Sequence, residues 1–182
     1  VSDDAEHEES IYLIGRNRAI WLGVNLITAV LASLVIGIFD ATIQSLVALA
    51  ILMPIVASMG GNAGTQTLTV TVRQMALGEI DYQDAKKIIY KEVVISLVNG
   101  VLFATIIGVV AYLWFSLPLL GVVIGISMII NLFSAGFFGA VIPIILQKRG
   151  IDPAIGSTVI LTTVTDVVGF FSFLGLATLI LI

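Results

Sequence analysis

The segment Ala19–Phe39 reads AIWLGVNLITAVLASLVIGIF and contains no charged residue. At about 1.5 Å per residue, a helix of this length crosses the roughly 30 Å hydrocarbon core of a bilayer. Arg16 and Arg18 precede the segment and Asp40 follows it, so charges mark both of its ends. The first ten residues, VSDDAEHEES, are acidic, whereas a secretory signal peptide begins with basic residues. We therefore predict a retained membrane span.

The whole chain has the composition of a membrane protein. It is 59% hydrophobic and 11% charged, whereas soluble domains average about 45–50% apolar and 25% charged residues. There is no cysteine and one histidine, and no motif pairs a nucleophile with a base, so we expect no enzyme activity. The basic residues form no continuous stripe, and we expect no nucleic-acid partner.

Apolar runs predict an all-α polytopic membrane protein with five transmembrane helices in residues 16–182, preceded by an acidic cytoplasmic tail at 1–15. After the first span, further spans are predicted at about 41–75, 93–115, 119–146 and 153–182. The polar residues 73–92 connect spans two and three, with an amphipathic helix expected from Tyr82 onward at the membrane surface. The turn Ser116–Pro118 is short enough to make spans three and four antiparallel neighbours.

The distribution of basic residues predicts the orientation of these spans. Five crossings place the N-terminal arm and the connections at 73–92 and 147–152 on one side of the membrane. All eight Lys and Arg residues fall on that side: Arg16, Arg18, Arg73, Lys86, Lys87, Lys91, Lys148 and Arg149. By the positive-inside rule the N-terminus is cytoplasmic and the C-terminus is outside, in a plasma (inner) membrane.

The segment Pro54–Gln66 reads PIVASMGGNAGTQ and is unusual within a membrane span. Each glycine destabilises a helix by about 1 kcal/mol relative to alanine, so we expect the second span to be distorted at this Gly-Asn motif. Irregular backbone at membrane depth is tolerated where it lines a cavity, and its carbonyl oxygens suit a hard cation. A kink that only packs against a neighbour is the alternative. The candidate pore-lining residues here are Gly60, Gly61, Asn62, Gly64 and Thr65.

Asp166 is the carboxylate that most needs an explanation. It lies roughly 20 Å from one end of the last span and 24 Å from the other, at about 1.5 Å per residue. A charge near the bilayer centre costs about 2.5 to 3.5 kcal/mol or more, and the topology places no Lys or Arg at that depth. A cation in a wet cavity would offset this cost, and so would protonation of the carboxyl group. We predict that Asp166 binds a metal ion.

Hydroxyl groups surround Asp166 on the helix surface. At 100° per residue, a stripe about 120° wide holds Thr158, Thr162, Thr165, Asp166, Gly169 and Ser172. A water-filled path would favour such a stripe, and close helix packing is the alternative. We include Thr158, Thr162, Thr165 and Gly169 among the candidate pore-lining residues.

Small residues at four-residue spacing predict close helix contacts in lipid. They occur as Gly100, Ala104 and Gly108 in span three and as Gly121 and Gly125 in span four. Asparagines also lie within spans one, three and four, at Asn25, Asn99 and Asn131. For these we favour hydrogen bonds between helices over contact with a ligand.

Over residues 16–182 the chain resembles the membrane domain of the MgtE family of Mg²⁺ channels. Three motifs carry the resemblance: P-x-x-x-S-x-G-G-N-A-G-T-Q at Pro54–Gln66, R-x-x-x-x-G-E-I-D at Arg73–Asp81, and T-D-V-V-G-F at Thr165–Phe170. The first is specific by itself, and the last is specific mainly in combination with it.

The resemblance implies a homodimer with a pore on its two-fold axis, lined by spans two and five. Asp166 is then the ion-site carboxylate, and backbone near Gly61 and Thr162 helps to hold a hydrated ion. Two Asp166 side chains supply a charge that matches a divalent cation. Because Mg²⁺ dehydrates reluctantly, a ring of carboxylates and carbonyls around a hydrated ion is more plausible than a dry cage.

Members of this family usually carry cytoplasmic N-terminal and CBS regulatory domains ahead of the membrane part. Residues 1–10 resemble the end of the helix that connects them. We therefore expect such domains in a full-length form. We also expect membrane lipid to surround the transmembrane helices.

The predicted function is a Mg²⁺ channel or transporter pore that conducts hydrated divalent cations down their electrochemical gradient, with Mn²⁺ and other divalent cations as further candidate ions. The alternative is a secondary transporter that uses Asp166 as a cation or proton relay. Such transporters often contain inverted repeats and paired broken helices, whereas the sequence predicts one distorted helix and shows no clear repeat.

Overall fold

The computed structural model describes residues 2–79 and 84–182, and it describes side chains from residue 11 onward except at 80–83, 154 and 155. Within these ranges the chain is helical and contains no strand. The helices are α1 (Ser2–Ile38), α2 (Asp40–Ser45), α3 (Ala48–Ala76), α4 (Ala85–Phe115), α5 (Pro118–Lys148) and α6 (Pro153–Ile180). The all-α class is therefore confirmed.

Five of the helices have a stretch long and apolar enough to cross a membrane, as predicted. These stretches are Ile11–Ile38, Ala48–Ala76, Ala85–Phe115, Pro118–Lys148 and Gly156–Ile180. The first belongs to a helix that begins at Ser2, so the acidic tail and the first span form one continuous helix.

The predicted surface helix between spans two and three is not a separate element. Tyr82 lies outside the described residues, but α4 is helical from Ala85 and runs without interruption to Phe115. The charged residues that follow Ala85 thus form the first turns of the third span.

The second span differs from its prediction in where the helix is interrupted. The interruption lies at Leu46, whose φ of -144° and ψ of 90° are extended, between α2 and α3. From Ala48 to Ala76 the chain is α-helical through Pro54 and all three glycines of the motif. The expected irregular backbone at the Gly-Asn motif is therefore wrong. In lipid an unpaired backbone group costs several kcal/mol, which exceeds the helix propensity lost at a glycine.

Helix α5 is the centre of the bundle. It packs against α3, α4 and α6, while α1 packs on α6 at the periphery. At one end of the bundle, a core of α3, α5 and α6 side chains includes Leu49, Leu52, Ile124 and Phe173, all fully buried. The hydroxyls of Thr42 in α2 and Thr178 in α6 are hydrogen-bonded at 2.8 Å, which ties the short α2 to the same end.

The predicted small-residue contacts are confirmed between α4 and α5. A Cβ atom built on Gly121 would lie 2.5 Å from the carbonyl oxygen of Gly108, and one built on Gly125 would lie 3.3 Å from that of Ala104. Here the helix backbones touch each other directly, so a side chain at Gly121 has no space without separating the helices.

We predict that Gly121→Ala lowers the thermal stability of the purified protein because the added methyl group meets a backbone atom that cannot rotate away. Gly23→Ala in α1 is the matched control. A Cβ atom at Gly23 meets nothing within 4 Å, and alanine is the better helix former by about 1 kcal/mol. Unfolding temperatures in detergent should fall for Gly121→Ala and stay equal or rise for Gly23→Ala. Equal stability of the two variants would contradict the tight α4–α5 contact.

Candidate functional site

The Gly-Asn motif and Asp166 lie at the same depth in the bundle. Gly64 of α3 faces Leu161 of α6, and Val56 of α3 faces Gly169 of α6. The two contacts are eight residues apart on both helices, so α3 and α6 run antiparallel in a regular register. Asp166 precedes Gly169 by three residues and therefore lies opposite Met59, immediately beside Gly60. The two segments that the sequence singled out are brought together.

Asp166 itself is half-buried within the fifth span. Its carboxylate has no hydrogen bond and no ion pair with any residue that the structure describes. A carboxylate at this depth without a protein partner needs water, a proton or a cation as its partner.

The predicted pore-lining residues divide into two groups in the single protomer. Gly60, Gly64, Thr165 and Gly169 are buried, and they pack between helices. The other group reaches the surface of the protomer fully or in part: Gly61, Asn62, Thr65, Thr158, Thr162 and Asp166. Whether either group lines a pore stays a prediction, but the second group has side chains or backbone that a ligand can reach without opening the bundle.

The accessible threonines present oxygen atoms as acceptors. The Thr65 hydroxyl donates to the Gly61 carbonyl oxygen at 2.8 Å, and the Thr69 hydroxyl donates to the Thr65 carbonyl oxygen at 2.8 Å. On α6 the Thr162 hydroxyl donates to the Thr158 carbonyl oxygen at 2.9 Å. Because each hydroxyl proton is engaged along its own helix, the lone pairs that remain can only accept. Such a surface suits a cation or the water molecules bound to it.

Asn131 joins the three helices that form this region. It is fully buried in α5, and its side-chain amide donates to the carbonyl oxygen of Val56 in α3 at 2.8 Å. The same amide occupies the space that a Cβ atom on Gly60 would need. It also lies 2.8 Å from the position of a Cβ atom on Gly169 in α6. The expected hydrogen bond between helices is confirmed at Asn131, and the glycines on both sides make room for it.

A family model described as the MgtE divalent cation transporter matches residues 53–176, which include the Gly-Asn motif and Asp166. The chain belongs to the MgtE family. Its resemblance to the family's motifs is thereby confirmed.

Three curated relatives of the family are named magnesium transporter MgtE. The protein of Bacillus subtilis is 32% identical over 175 residues, covering 96% of this chain and 39% of the relative. That of Thermus thermophilus is 31% identical over 164 residues, covering 90% and 36%. That of Enterococcus faecalis is 29% identical over 178 residues, covering 97% and 39%. The chain thus spans less than two fifths of the length of these relatives.

The structure of this MgtE-family chain also shows a buried carboxylate that the sequence analysis did not single out. Glu92 is 8% exposed and lies on α4, which is a membrane span. The sequence predicts Glu92 to lie at the end of the polar connection, because Lys86, Lys87 and Lys91 precede it. The spacing of Glu92, Ser96 and Gly100, four residues apart, is the signal that could have placed it on a buried helix face.

The described residues contain no group of three or more His, Asp or Glu side chains close enough to hold a metal ion. A cation site in an MgtE-family protomer of this structure would therefore need backbone, hydroxyl or amide oxygens, bound water, or a second copy of Asp166.

Substitutions at the adjacent residues Gly60 and Gly61 distinguish a role in helix packing from contact with a ligand. We predict that Gly60→Ala destabilises the protein, because its methyl group displaces the Asn131 amide and breaks a buried hydrogen bond, at a cost of about 1 to 3 kcal/mol. Gly61→Ala is the matched control, since a Cβ atom at Gly61 meets nothing within 4 Å of the protomer. Thermal unfolding in detergent measures both. A Gly60→Ala protein as stable as Gly61→Ala would refute the junction at Asn131.

Proposed function

We propose that this chain forms the pore of a magnesium transporter. Two copies would enclose, on a two-fold axis, a path lined by α3 and α6, through which hydrated Mg²⁺ moves down its electrochemical gradient. Membership of the MgtE family supports the transport of divalent cations. The names of the relatives support Mg²⁺ as the ion.

The observation that carries the proposal is the unpartnered carboxylate of Asp166 at the level of the Gly-Asn motif. A buried charge is retained in a membrane helix at a cost, and such residues generally face a bundle interior or a water-filled cavity. Asp166 lies on a helix that packs against α3, which supports a path shared by the charge and the motif.

The exposed face of α3 supports a path outside the single protomer. Its polar side chains Ser58, Asn62, Thr65 and Thr69 are exposed on one side of the helix, at the depth of a membrane span. Left against lipid, these groups would lose hydrogen bonds to water. A second copy that faces them across an aqueous space would keep them hydrated, which favours a homodimer over a monomer.

The chemistry of the ion explains why the site needs so few ligands. Mg²⁺ is a hard cation that prefers oxygen and usually keeps several waters in a protein. Two Asp166 carboxylates balance its charge, and the acceptor oxygens of Thr65 and Thr162 can receive hydrogen bonds from its water molecules. The site then selects for charge and hydrated size, and other divalent cations such as Mn²⁺ are expected to enter.

We predict that Asp166→Asn abolishes the preference for divalent over monovalent cations. The substitution keeps the size of the side chain and removes one negative charge per chain. Mg²⁺ and K⁺ conductance in planar bilayers and Mg²⁺-dependent thermal stabilisation measure the effect. Without Mg²⁺ the variant should be at least as stable as the parent, because burying an amide costs less than burying an unpaired carboxylate.

Asp40→Asn is the matched control, since Asp40 is exposed and lies outside the five candidate spans. It should conduct and bind Mg²⁺ as the parent does. An Asp166→Asn protein with parental Mg²⁺ selectivity would show that Asp166 is not the ion-site carboxylate. Flux that requires a proton or Na⁺ gradient would instead support the coupled transporter.

The orientation is part of the proposal and can be tested with single cysteines, because the sequence contains none. Leu117 and Ile151 are exposed residues in the connections at opposite ends of α5. With a cytoplasmic N-terminus, Leu117→Cys should react with a membrane-impermeant maleimide applied to intact cells, and Ile151→Cys only after the cells are opened. The reverse pattern would invert the topology.

A further inference from the structure

A second carboxylate lies buried within a membrane span, and the proposed path does not use it. Glu92 of α4 is 8% exposed, and its carboxylate has no hydrogen bond or ion pair with any described residue. The carboxylate oxygens are not among the fully buried polar atoms that lack a partner, so they reach open space beside the helix. Of the ionisable side chains that the structure describes, Glu92 is the one in the buried class.

Glu92 lines a cleft of about 540 Å³ between α3 and α4. Direct contacts between these two helices are few, because both pack on α5, and the space between them remains open. Its polar lining is rich in neutral side-chain oxygens, from Asn62, Gln66, Thr67, Ser96 and Asn99. One carboxylate among amide and hydroxyl oxygens is a ligand set of the kind that hard cations prefer.

The cleft extends to the level of Met59, but Glu92 itself lies at a different depth from Asp166. Gly136 of α5 approaches Ser96 and the Glu92 carbonyl oxygen, and Gly139 of α5 approaches Gly64 and Thr67 of α3. These contacts place Glu92 at the level of Gly64, whereas Asp166 lies at the level of Met59. The difference of five residues corresponds to about 8 Å along the bundle. Glu92 is therefore nearer to the end of the bundle where α4 begins.

The charges at the cleft favour a cation over an anionic ligand. Lys91 also lines it, but the structure records no ion pair between Lys91 and Glu92 among the described residues. The lysine is exposed and can extend into solvent, whereas the glutamate is buried. The charge fixed inside the cleft is thus negative.

We propose that the cleft between α3 and α4 is a cation-binding site with Glu92 as its charged ligand and the amide oxygens of Gln66 and Asn62 as neutral ligands. It takes hard cations of the Mg²⁺ and Mn²⁺ class, largely hydrated. The identity of the ion rests on the proposed function, whereas the existence of the site rests on Glu92 and the cleft. Asn62 contributes to both the cleft and the exposed face of α3, so an ion at Glu92 would stand beside the proposed path.

The test measures Mn²⁺ binding to the purified chain by the loss of the free-ion electron paramagnetic resonance signal. All variants carry Asp166→Asn, so the ion site of the proposed pore does not contribute to the measured Mn²⁺ binding. Adding Glu92→Gln should weaken the remaining Mn²⁺ binding at least about tenfold, and Gln66→Leu should weaken it less. Adding Lys91→Gln should strengthen binding, because a like charge near the ion is removed. Glu79→Gln, an exposed carboxylate in the neighbouring connection, should change nothing.

Several outcomes would overturn the inference. Unchanged binding in Glu92→Gln would show that the cleft holds no ion, and so would the loss of all Mn²⁺ binding in Asp166→Asn alone, which would leave the proposed pore site standing. A Glu92→Gln protein that is less stable than its parent without Mn²⁺ would show that the carboxylate is structural. Stabilisation by phosphatidylglycerol that disappears with Lys91→Gln and grows with Glu92→Gln would identify a lipid headgroup instead. If Asp166→Asn keeps parental Mg²⁺ selectivity while Glu92→Gln still weakens Mn²⁺ binding, the proposed path is wrong and the site at Glu92 stands.

Discussion

The hydrogen-bonding requirement of the backbone in lipid is the constraint on which the rest of this structure depends. Nothing in a hydrocarbon core can replace a backbone partner, so a membrane span must satisfy its amides internally. This explains why α3 stays helical through Gly60, Gly61 and Gly64. Gly60 and Gly64 act through the absence of a side chain, and they allow Asn131 and Leu161 to approach the α3 backbone.

The polar side chains of the bundle fall into two classes, because a side chain in lipid also has no water to replace a missing partner. One class is hydrogen-bonded within the fold: the Asn131 amide donates to the Val56 carbonyl oxygen, and the Thr178 hydroxyl is hydrogen-bonded to that of Thr42 in α2. The other class has no partner among the residues that the structure describes, and it includes Asp166 and Glu92. Since packing does not explain the second class, those residues are where ligand chemistry is to be sought.

Much of the fold follows from the sequence, because apolar runs near the length of a bilayer can form only spanning helices. The extended residue Leu46 was not predictable, since neither glycine nor proline adjoins it. Helix propensity alone also predicts the distortion of the second span at the wrong place. It counts the free energy lost at each glycine and omits the larger free energy lost when a backbone group in lipid has no hydrogen-bond partner. For the site, periodicity identified the stripe that contains Asp166. It could not show that Thr165 and Gly169 face neighbouring helices while Thr158 remains exposed, since periodicity does not reveal which neighbour covers a face. The sequence does not reveal Glu92 as a span residue, because the three lysines before it make this part of the chain as polar as a connection between spans.

Helix α5 contributes none of the proposed ion ligands at Asp166, yet it determines where those ligands stand. Its Asn131 lies between Gly60 of α3 and Gly169 of α6, and a bulkier residue at either glycine would separate the helices at the depth of Asp166. The hydrogen bond to Val56 fixes the amide in this position. Protein interiors resist small changes of volume and transmit them to their neighbours, so a change at Asn131 shifts α3 relative to α6 without touching a ligand. The spacing of the candidate site is in this sense a property of the packing, and the carboxylate of Asp166 supplies its charge.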